Sequence, residues 1–355
     1  MRSYRVACAI VLANVGIILG CHIWLAHFGS DSRNNNEDSG AIRRVVRISQ
    51  WRQDYLEAID SRRIVLHETS GRGDLNVRQS CAAESAARHN PDRPIQIFMR
   101  WKTTSRDDPG NSTDAWLTVL SHYNNVEIVQ IDDAILYSNN TALYNWFKIK
   151  WRENAQQHLS HDYIRSVTLF KGGGLFLDMD KVITIKPLTW SKWNNFFVQR
   201  KSGIIAVEML HLLHGHHLID EIILNMANNK ADDAATGNGI LAAAIDASVN
   251  KICGSWKNNQ CLDVRLIDEE DVILPPFDSL FWDSSILGMN SKGGYDVMKK
   301  TIVNHGAVLM EWESIIRNSF ESVLYVALME EHCPFTLANA KHFPNFHSSL
   351  NNFNQ

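Results

Sequence analysis

The order in which short β-forming runs alternate with helical ones is what most constrains the fold of this 355-residue chain. RRIVLHETS (62–70) is a strand running into a polar loop, and CAAESAARHNPD (81–92) is a helix stopped before Pro91. RPIQIFMRW (93–101) and NNVEIVQID (124–132) read as two more strands, with helical spacing in WLTVLSHY between them. The pattern predicts an α/β domain with a largely parallel sheet, in which ligands sit at the carboxyl ends of strands. Farther on, 142–171 and 217–229 read as helices, and the glycines at 172–174 end the first of these and lead into β-forming residues.

From Val6 to Phe28 the chain has 23 residues without Asp, Glu, Lys or Arg. At about 1.5 Å per residue a helix of that length covers roughly 34 Å, enough for a hydrocarbon core of about 30 Å. The expected layout is a cytoplasmic tail (1–5), a transmembrane signal anchor (6–28), a polar stem (29–60) and a globular domain (61–355). Arg2 and Arg5 favour a lumenal domain, whereas Arg33, Arg43 and Arg44 argue the other way. The sequons at Asn111 and Asn139 are compatible with lumenal exposure. ILGC (18–21) loosely matches a lipoprotein cleavage site, but the residues after Cys21 stay apolar, which favours an uncleaved anchor.

A formal charge of −4 gives no support to a nucleic-acid partner, which would need a concentrated basic face. Cys81, Cys253, Cys261 and Cys333 remain outside the apolar segment and allow three pairings. Cys253 and Cys261 bracket the polar GSWKNNQ, which suits either a short local disulfide or two buried thiols.

The chemistry concentrates in GGGLFLDMDKV (172–182). In an extended chain residues two apart share a face, with α-carbons about 6.6 Å apart, so Asp178 and Asp180 can converge on one cation. Hard oxygen ligands suit Mg²⁺ or Mn²⁺, and such a cation neutralises a departing diphosphate. The glycines at 172–174 would let a bulky ligand approach the backbone. Asp162 and Arg165 are three residues apart on one helical face and form either a ligand-holding pair or a surface ion pair. The histidines of HLLHGHH (211–217) read as a solvated loop, and DEED (268–271) as a surface face.

Several blocks resemble the α1,4-glycosyltransferase family typified by globotriaosylceramide synthase. They are HETSGR (67–72), CAAESAARHNPD, the stretch from Asp162 through Arg165 to the D-x-D and IKPL, GIIAVE (203–208), TGNGIL (236–241), LPP (274–276) and EEHCPFT (330–336). The resemblance implies a GT-A-like, Rossmann-type nucleotide-sugar fold, split into a donor part (61–200) and an acceptor part (201–345). It also implies a type II Golgi membrane protein and a retaining transfer of galactose or N-acetylgalactosamine in glycosphingolipid synthesis. The donor would be UDP-galactose or UDP-N-acetylgalactosamine, and the acceptor the 4-hydroxyl of a glycan or glycolipid. Asp178 and Asp180 would bind Mn²⁺ or Mg²⁺. Asp162, Arg165, Gly173, Gly174, Glu68, Thr69 and Ser70 would line the donor, with Gly237 and Gly239 shaping a nearby loop. No nucleophile stands out; Glu208 and Asp233 are the candidate carboxylates.

The second half departs from the family pattern. Leu309, in AVLMEWES (307–314), stands where a metal-binding histidine is expected, with His305 four residues earlier. Asn238 replaces a proline, and Ala242 and Ala243 replace a Thr-Arg pair. The rival expectation is a catalytically reduced member that binds nucleotide sugar or glycan without turnover.

Overall fold

The structure, a computed structural model, describes residues 45–47, 62–71, 73–100, 115–131, 136, 142–145, 147–148, 157–188, 194–228, 239–274, 309–311 and 328–340. The chain divides into two compact units, 1–39 and 40–355, and every described residue lies in the second. The apolar segment 6–28, both sequons, Asp233, Gly237, Asn238 and His305 therefore fall outside the described residues. No helix among the described residues is long and apolar enough to cross a membrane.

One mixed sheet of nine strands organises these residues. Its parallel half comprises β1 (Val45–Arg47), β2 (Ile64–Glu68), β3 (Ile95–Met99), β4 (Val126–Gln130) and β5 (Gly174–Leu177), in the order β1-β4-β3-β2-β5. The strand at Val45–Arg47 lies inside the stretch expected to be stem, so the sheet begins earlier than the composition indicates. Beyond β5 the direction changes. β8 (Ile205–Leu212) pairs antiparallel with both β5 and β7 (Phe196–Gln199), β7 pairs parallel with β10 (Val264–Asp268), and β9 (Gln260–Cys261) closes that edge. A largely parallel sheet is thus half of what forms. A smaller sheet orders β11 (Ile273–Leu274), β12 (Leu309–Glu311) and β6 (Val182–Thr184) side by side.

Strand alternation sends side chains to two cores. Val65, Phe98, Val129 and Phe176 pack with residues of α3 (Gln157–Gly172), α4 (His217–Asn228) and α5 (Ile240–Cys253), among them Ile164, Val167, Ile222 and Ile245. Their neighbours Ile64, Leu66, Ile97 and Leu175 pack on the other face with α1 (Val77–His89) and α2 (Ala115–Leu120). Burial of each such side chain contributes about 1.5–3 kcal/mol, and two covered faces explain why the strands read as continuous apolar runs. α1 starts at a reciprocal cap: Gln79 N–H donates to Asn76 and Asn76 N–H donates to the Gln79 side chain. Its alanines, Ala82, Ala83 and Ala86, allow close approach to the sheet.

The four cysteines pair as Cys81–Cys333 and Cys253–Cys261, with α-carbons 5.1 and 5.8 Å apart. The first ties α1 to the residue before α7 (Pro334–Ala340). Glu84 reinforces that join, its carboxylate accepting from the N–H groups of Phe335 (2.9 Å) and Thr336 (2.7 Å) and the hydroxyl of Tyr123 (2.8 Å).

The histidine-rich stretch is not one solvated loop. His211 is buried at the end of β8, stacked on Phe196 at 5.7 Å between ring centroids. His216 accepts the Leu218 N–H at the start of α4 and bonds Asp263 at 2.6 Å. In the acidic run, α6 (Glu269–Val272) buries Val272, and burial pushes the Glu269 carboxyl up against the opposing pull of Arg200.

Candidate functional site

Chain order reverses at β2: β3 and β4 extend the sheet to one side, and β5 returns to the other. A crevice opens at the carboxyl ends of strands where order reverses, and ligands of open α/β sheets sit there. β2 ends at Glu68 and β5 at Leu177, so Glu68, Thr69 and Ser70 meet Asp178 at one edge.

Asp178 and Asp180 occupy a turn, and the pleat that would have aligned them ends at Leu177. The Asp180 N–H donates to Asp178 Oδ1 at 3.0 Å, and the N–H groups of Lys181 and Val182 return to the Asp178 carbonyl. An Asx turn of this kind brings the two residues together by local hydrogen bonding. Both side chains remain partly exposed, and Asp178 is further fixed by its N–H on the Glu208 carbonyl at 2.9 Å.

Arg165 links the elements. Its Nη2 donates to Asp178 Oδ2 (3.2 Å), and its Nη1 to Asp162 Oδ1 (3.3 Å) and the Val207 carbonyl (3.0 Å). The guanidinium carbon lies 4.2 Å from the centroid of the Phe176 ring. With side chains 7% and 18% exposed, Arg165 and Asp162 are no surface ion pair. Asp162 Oδ2 accepts the Leu241 N–H at 3.2 Å, in the first turn of α5, where a carboxylate complements the helix dipole. Gly239, the residue before that helix, has φ +76°, and a β-carbon there would stand 3.3 Å from Asp162 Oδ2.

On the β2 side, Glu68 folds back on its own loop, accepting from the Ser70 N–H (3.1 Å) and hydroxyl (2.5 Å). Thr69 is buried, its hydroxyl bonded to Nδ1 of His161 and its carbonyl accepting from Arg100 at 3.2 Å. His161 went unrecognised in the sequence, although it lies one helical turn before Arg165 and next to Asp162. Burial holds its imidazole below the usual histidine range; Arg165 adds to this, and Asp178 and Asp162 oppose it. His67, also unrecognised, lies beneath, between Phe98 and Phe176, and burial holds it well below that range.

The three glycines serve a different purpose from the one expected. The space beside them is filled by protein. A β-carbon on Gly172 would stand 2.0 Å from Arg63 Nη2, one on Gly174 2.7 Å from Arg63 Cγ, and one on Gly173 2.3 Å from the His214 nitrogen. Arg63 is a buried cation whose Nε donates to the Gly173 carbonyl (2.9 Å) and whose Nη1 donates to Gln96 (2.5 Å). Burial lowers its pKa to about 9, against the pull of Glu127.

Glu208 sits on β8 where pairing with β7 shifts register. Its Oε1 accepts from Arg200 at 2.7 Å, while Oε2 is buried without a hydrogen-bond partner among the described residues. Leu309 is wholly buried in the apolar cluster that holds Met179 and Val182, and it pairs with Thr184 across β12 and β6. The strand carrying it therefore runs beside the one that follows the Asp178–Lys181 turn, and its side chain serves the core.

Two acidic oxygen donors on a partly exposed turn fit a hard divalent cation that takes its remaining ligands from water and phosphate. No group of three or more His, Cys, Asp or Glu poised to hold a metal occurs among the described residues.

Residues 76–198, which contain both aspartates, match the family described as the glycosyltransferase sugar-binding region containing DXD motif. The chain is 36% identical over 179 residues to human alpha-1,4-N-acetylglucosaminyltransferase, covering 49% of this chain and 51% of that protein. It is 32% identical over 119 residues to mouse lactosylceramide 4-alpha-galactosyltransferase, covering 33% of this chain and 32% of that one. The matched region thus spans about half of the first relative and a third of the second. Among solved structures, PaToxG glycosyltransferase overlaps with a TM-score of 0.42 at 12% identity, over 56% of this chain and 71% of that one. The galactosyltransferase LgtC, in complex with donor and acceptor sugar analogs, overlaps at 0.38 and 9%, over 81% and 99%.

Proposed function

We propose that this chain, whose residues 76–198 match the DXD glycosyltransferase sugar-binding region, is a glycosyltransferase that uses a nucleotide-sugar donor. The observation that carries the reading is that Arg165 holds the Asp178–Asp180 turn at the sheet's reversal point, where Thr69 of the loop after β2 also bonds His161, four residues before Arg165. The mixed α/β sheet is compatible with a GT-A-like fold.

Asp178 and Asp180 would hold Mn²⁺ or Mg²⁺, which when bound neutralises diphosphate charge as the glycosidic bond breaks. Arg165 supplies a fork-shaped cation for phosphate oxygens. Asp162 orients Arg165 and anchors it to α5, so the guanidinium needs little reorganisation on donor binding. On the β2 side Thr69 holds His161, whose charged form burial disfavours. Glu208, whose main-chain carbonyl accepts the Asp178 N–H, is the one of the two candidate carboxylates that lies among the described residues and the one assigned to the acceptor side.

The finer reading is a retaining transfer of galactose or N-acetylgalactosamine from its UDP-sugar to a 4-hydroxyl of a glycan or glycolipid. Its linkage is supported by the names of the two relatives, which specify an α1,4 and a 4-α transfer, and its galactose by the second. The first relative makes N-acetylglucosamine a third donor to test. Placement in the Golgi membrane through residues 6–28, with the catalytic part lumenal, belongs to the same proposal. Incubation of the purified chain with each of the three UDP-sugars, Mn²⁺ and lactosyl-type acceptors, followed by UDP release and product mass, tests it. Product supports the transferase; binding of UDP without release at any donor supports the non-catalytic rival, which the loss of the expected histidine at Leu309 favours.

A further inference from the structure

Arg165 lies against the very oxygen a cation would need. Its side chain is 7% exposed, Nη2 is 3.2 Å from Asp178 Oδ2, and Nη1 is shared between Asp162 and the Val207 carbonyl. The other oxygen of Asp178 already accepts the Asp180 N–H. Both Asp178 oxygens are therefore engaged by protein donors, one of them by a full positive charge. Nε of Arg165 is buried with no hydrogen-bond partner among the described residues, so the guanidinium has donor capacity to offer a ligand.

We propose that Arg165 is the resting counter-ion of Asp178 and couples cation binding to diphosphate binding. The inference rests on the sugar-nucleotide reading above and adds a mechanism of regulation to that site. A divalent cation approaching Asp178 Oδ2 meets a guanidinium within contact distance, and that repulsion weakens cation binding to the free protein. A nucleoside diphosphate offers the planar guanidinium a pair of phosphate oxygens to bond as a fork, which draws charge away from Asp178 and gives Nε–H an acceptor. Each ligand thereby removes the obstacle to the other. By linkage, the factor by which diphosphate strengthens cation binding equals the factor by which the cation strengthens diphosphate binding. Asp162, tied to α5 by the Leu241 N–H, keeps the guanidinium close while its contact with Asp178 is exchanged. The Phe176 ring, 4.2 Å from the guanidinium carbon, supports it during the exchange.

The experiment measures Mn²⁺ affinity of the full chain, by the electron paramagnetic resonance signal of free Mn²⁺, with and without UDP. Wild type is expected to bind Mn²⁺ weakly alone and at least about tenfold more tightly with saturating UDP. Arg165→Met is expected to bind Mn²⁺ alone about tenfold more tightly than wild type and to lose most of the UDP effect, keeping only the part that comes from direct phosphate ligation of the cation. Arg165→Lys keeps the charge without the fork, so it is expected to bind Mn²⁺ alone as weakly as wild type and to lose most of the UDP effect. That variant decides the question if Arg165→Met does not fold. Wild type binding neither Mn²⁺ nor UDP overturns the sugar-nucleotide reading and the inference with it. Wild type binding both, with either folded variant retaining the full UDP effect, overturns the inference alone.

Discussion

A β-carbon placed on Gly173 would stand 2.3 Å from the backbone nitrogen of His214, and the glycine itself holds φ +62°. The approach of two backbones, rather than room for a sugar, is what requires glycine here. Gly173→Ala is therefore expected to lower the melting temperature by several degrees or prevent folding. A thermal melt beside a donor titration checks this; a fully stable variant with only a raised KM for donor would return the glycine to ligand binding.

Glu84 satisfies two backbone donors at the start of α7 and the hydroxyl of Tyr123, whose pKa is pushed up first by burial and then by this carboxylate. Glu84→Ala leaves the buried Thr336 N–H unpaired, at a cost of about 1–3 kcal/mol, and removes the partners of the part-buried Phe335 N–H and Tyr123 hydroxyl. Urea unfolding should show a loss of roughly 3 kcal/mol. A loss below about 0.5 kcal/mol would mean that the region of α7 adds little to the fold.

His89 faces His332, Nε2 to Nδ1 at 2.9 Å, and burial with Arg88 nearby lowers the His89 pKa to about 4, opposed by Glu331. An unfolded histidine takes up its proton near 6.5, so the folded state binds fewer protons between about 4 and 6.5. Its contribution to stability is complete above 6.5 and is lost as pH falls to about 4. His67, depressed chiefly by burial, acts in the same direction. Melting temperature should fall across that window and fall less steeply in His89→Gln; an equal slope in both proteins would assign the effect to other groups.

The disulfides differ in what they close. Cys81–Cys333 joins residues 252 apart and Cys253–Cys261 residues 8 apart. Chain entropy alone assigns roughly 5 kcal/mol to the first and roughly 2–3 kcal/mol to the second. Melts of Cys81→Ala/Cys333→Ala and Cys253→Ala/Cys261→Ala should show the larger loss in the former pair, and the reverse order would refute the ranking.

Whereas β1 was hidden in a polar stretch, strands β2 to β5 of the parallel half were legible because each is an almost wholly buried apolar run flanked by helix or turn signals, as in Ile95–Met99. The antiparallel insertion was not. Phe196–Gln199 is four residues long, and Ile205–Leu212 pairs with it through a register shift that breaks the alternation a reader would count. Asp178 and Asp180 were legible as a motif, but their geometry depends on the Asp180 N–H turning back to Asp178, which no pleat predicts. Arg63 explains the glycines only once the fold carries it across 110 residues to Gly173. His161 needed the same long-range contact, since its partner Thr69 lies on another element.

The most direct measurement is UDP release from a UDP-sugar donor by the purified chain and by Asp178→Asn, with Mn²⁺ and a lactosyl-type acceptor present. The proposed transferase releases UDP together with glycosylated product, and Asp178→Asn reduces the rate by more than about tenfold while keeping the wild-type melting temperature. Turnover in a folded Asp178→Asn variant equal to wild type would contradict the role given to the carboxylate pair, and no release from any of the three donors would contradict the enzyme.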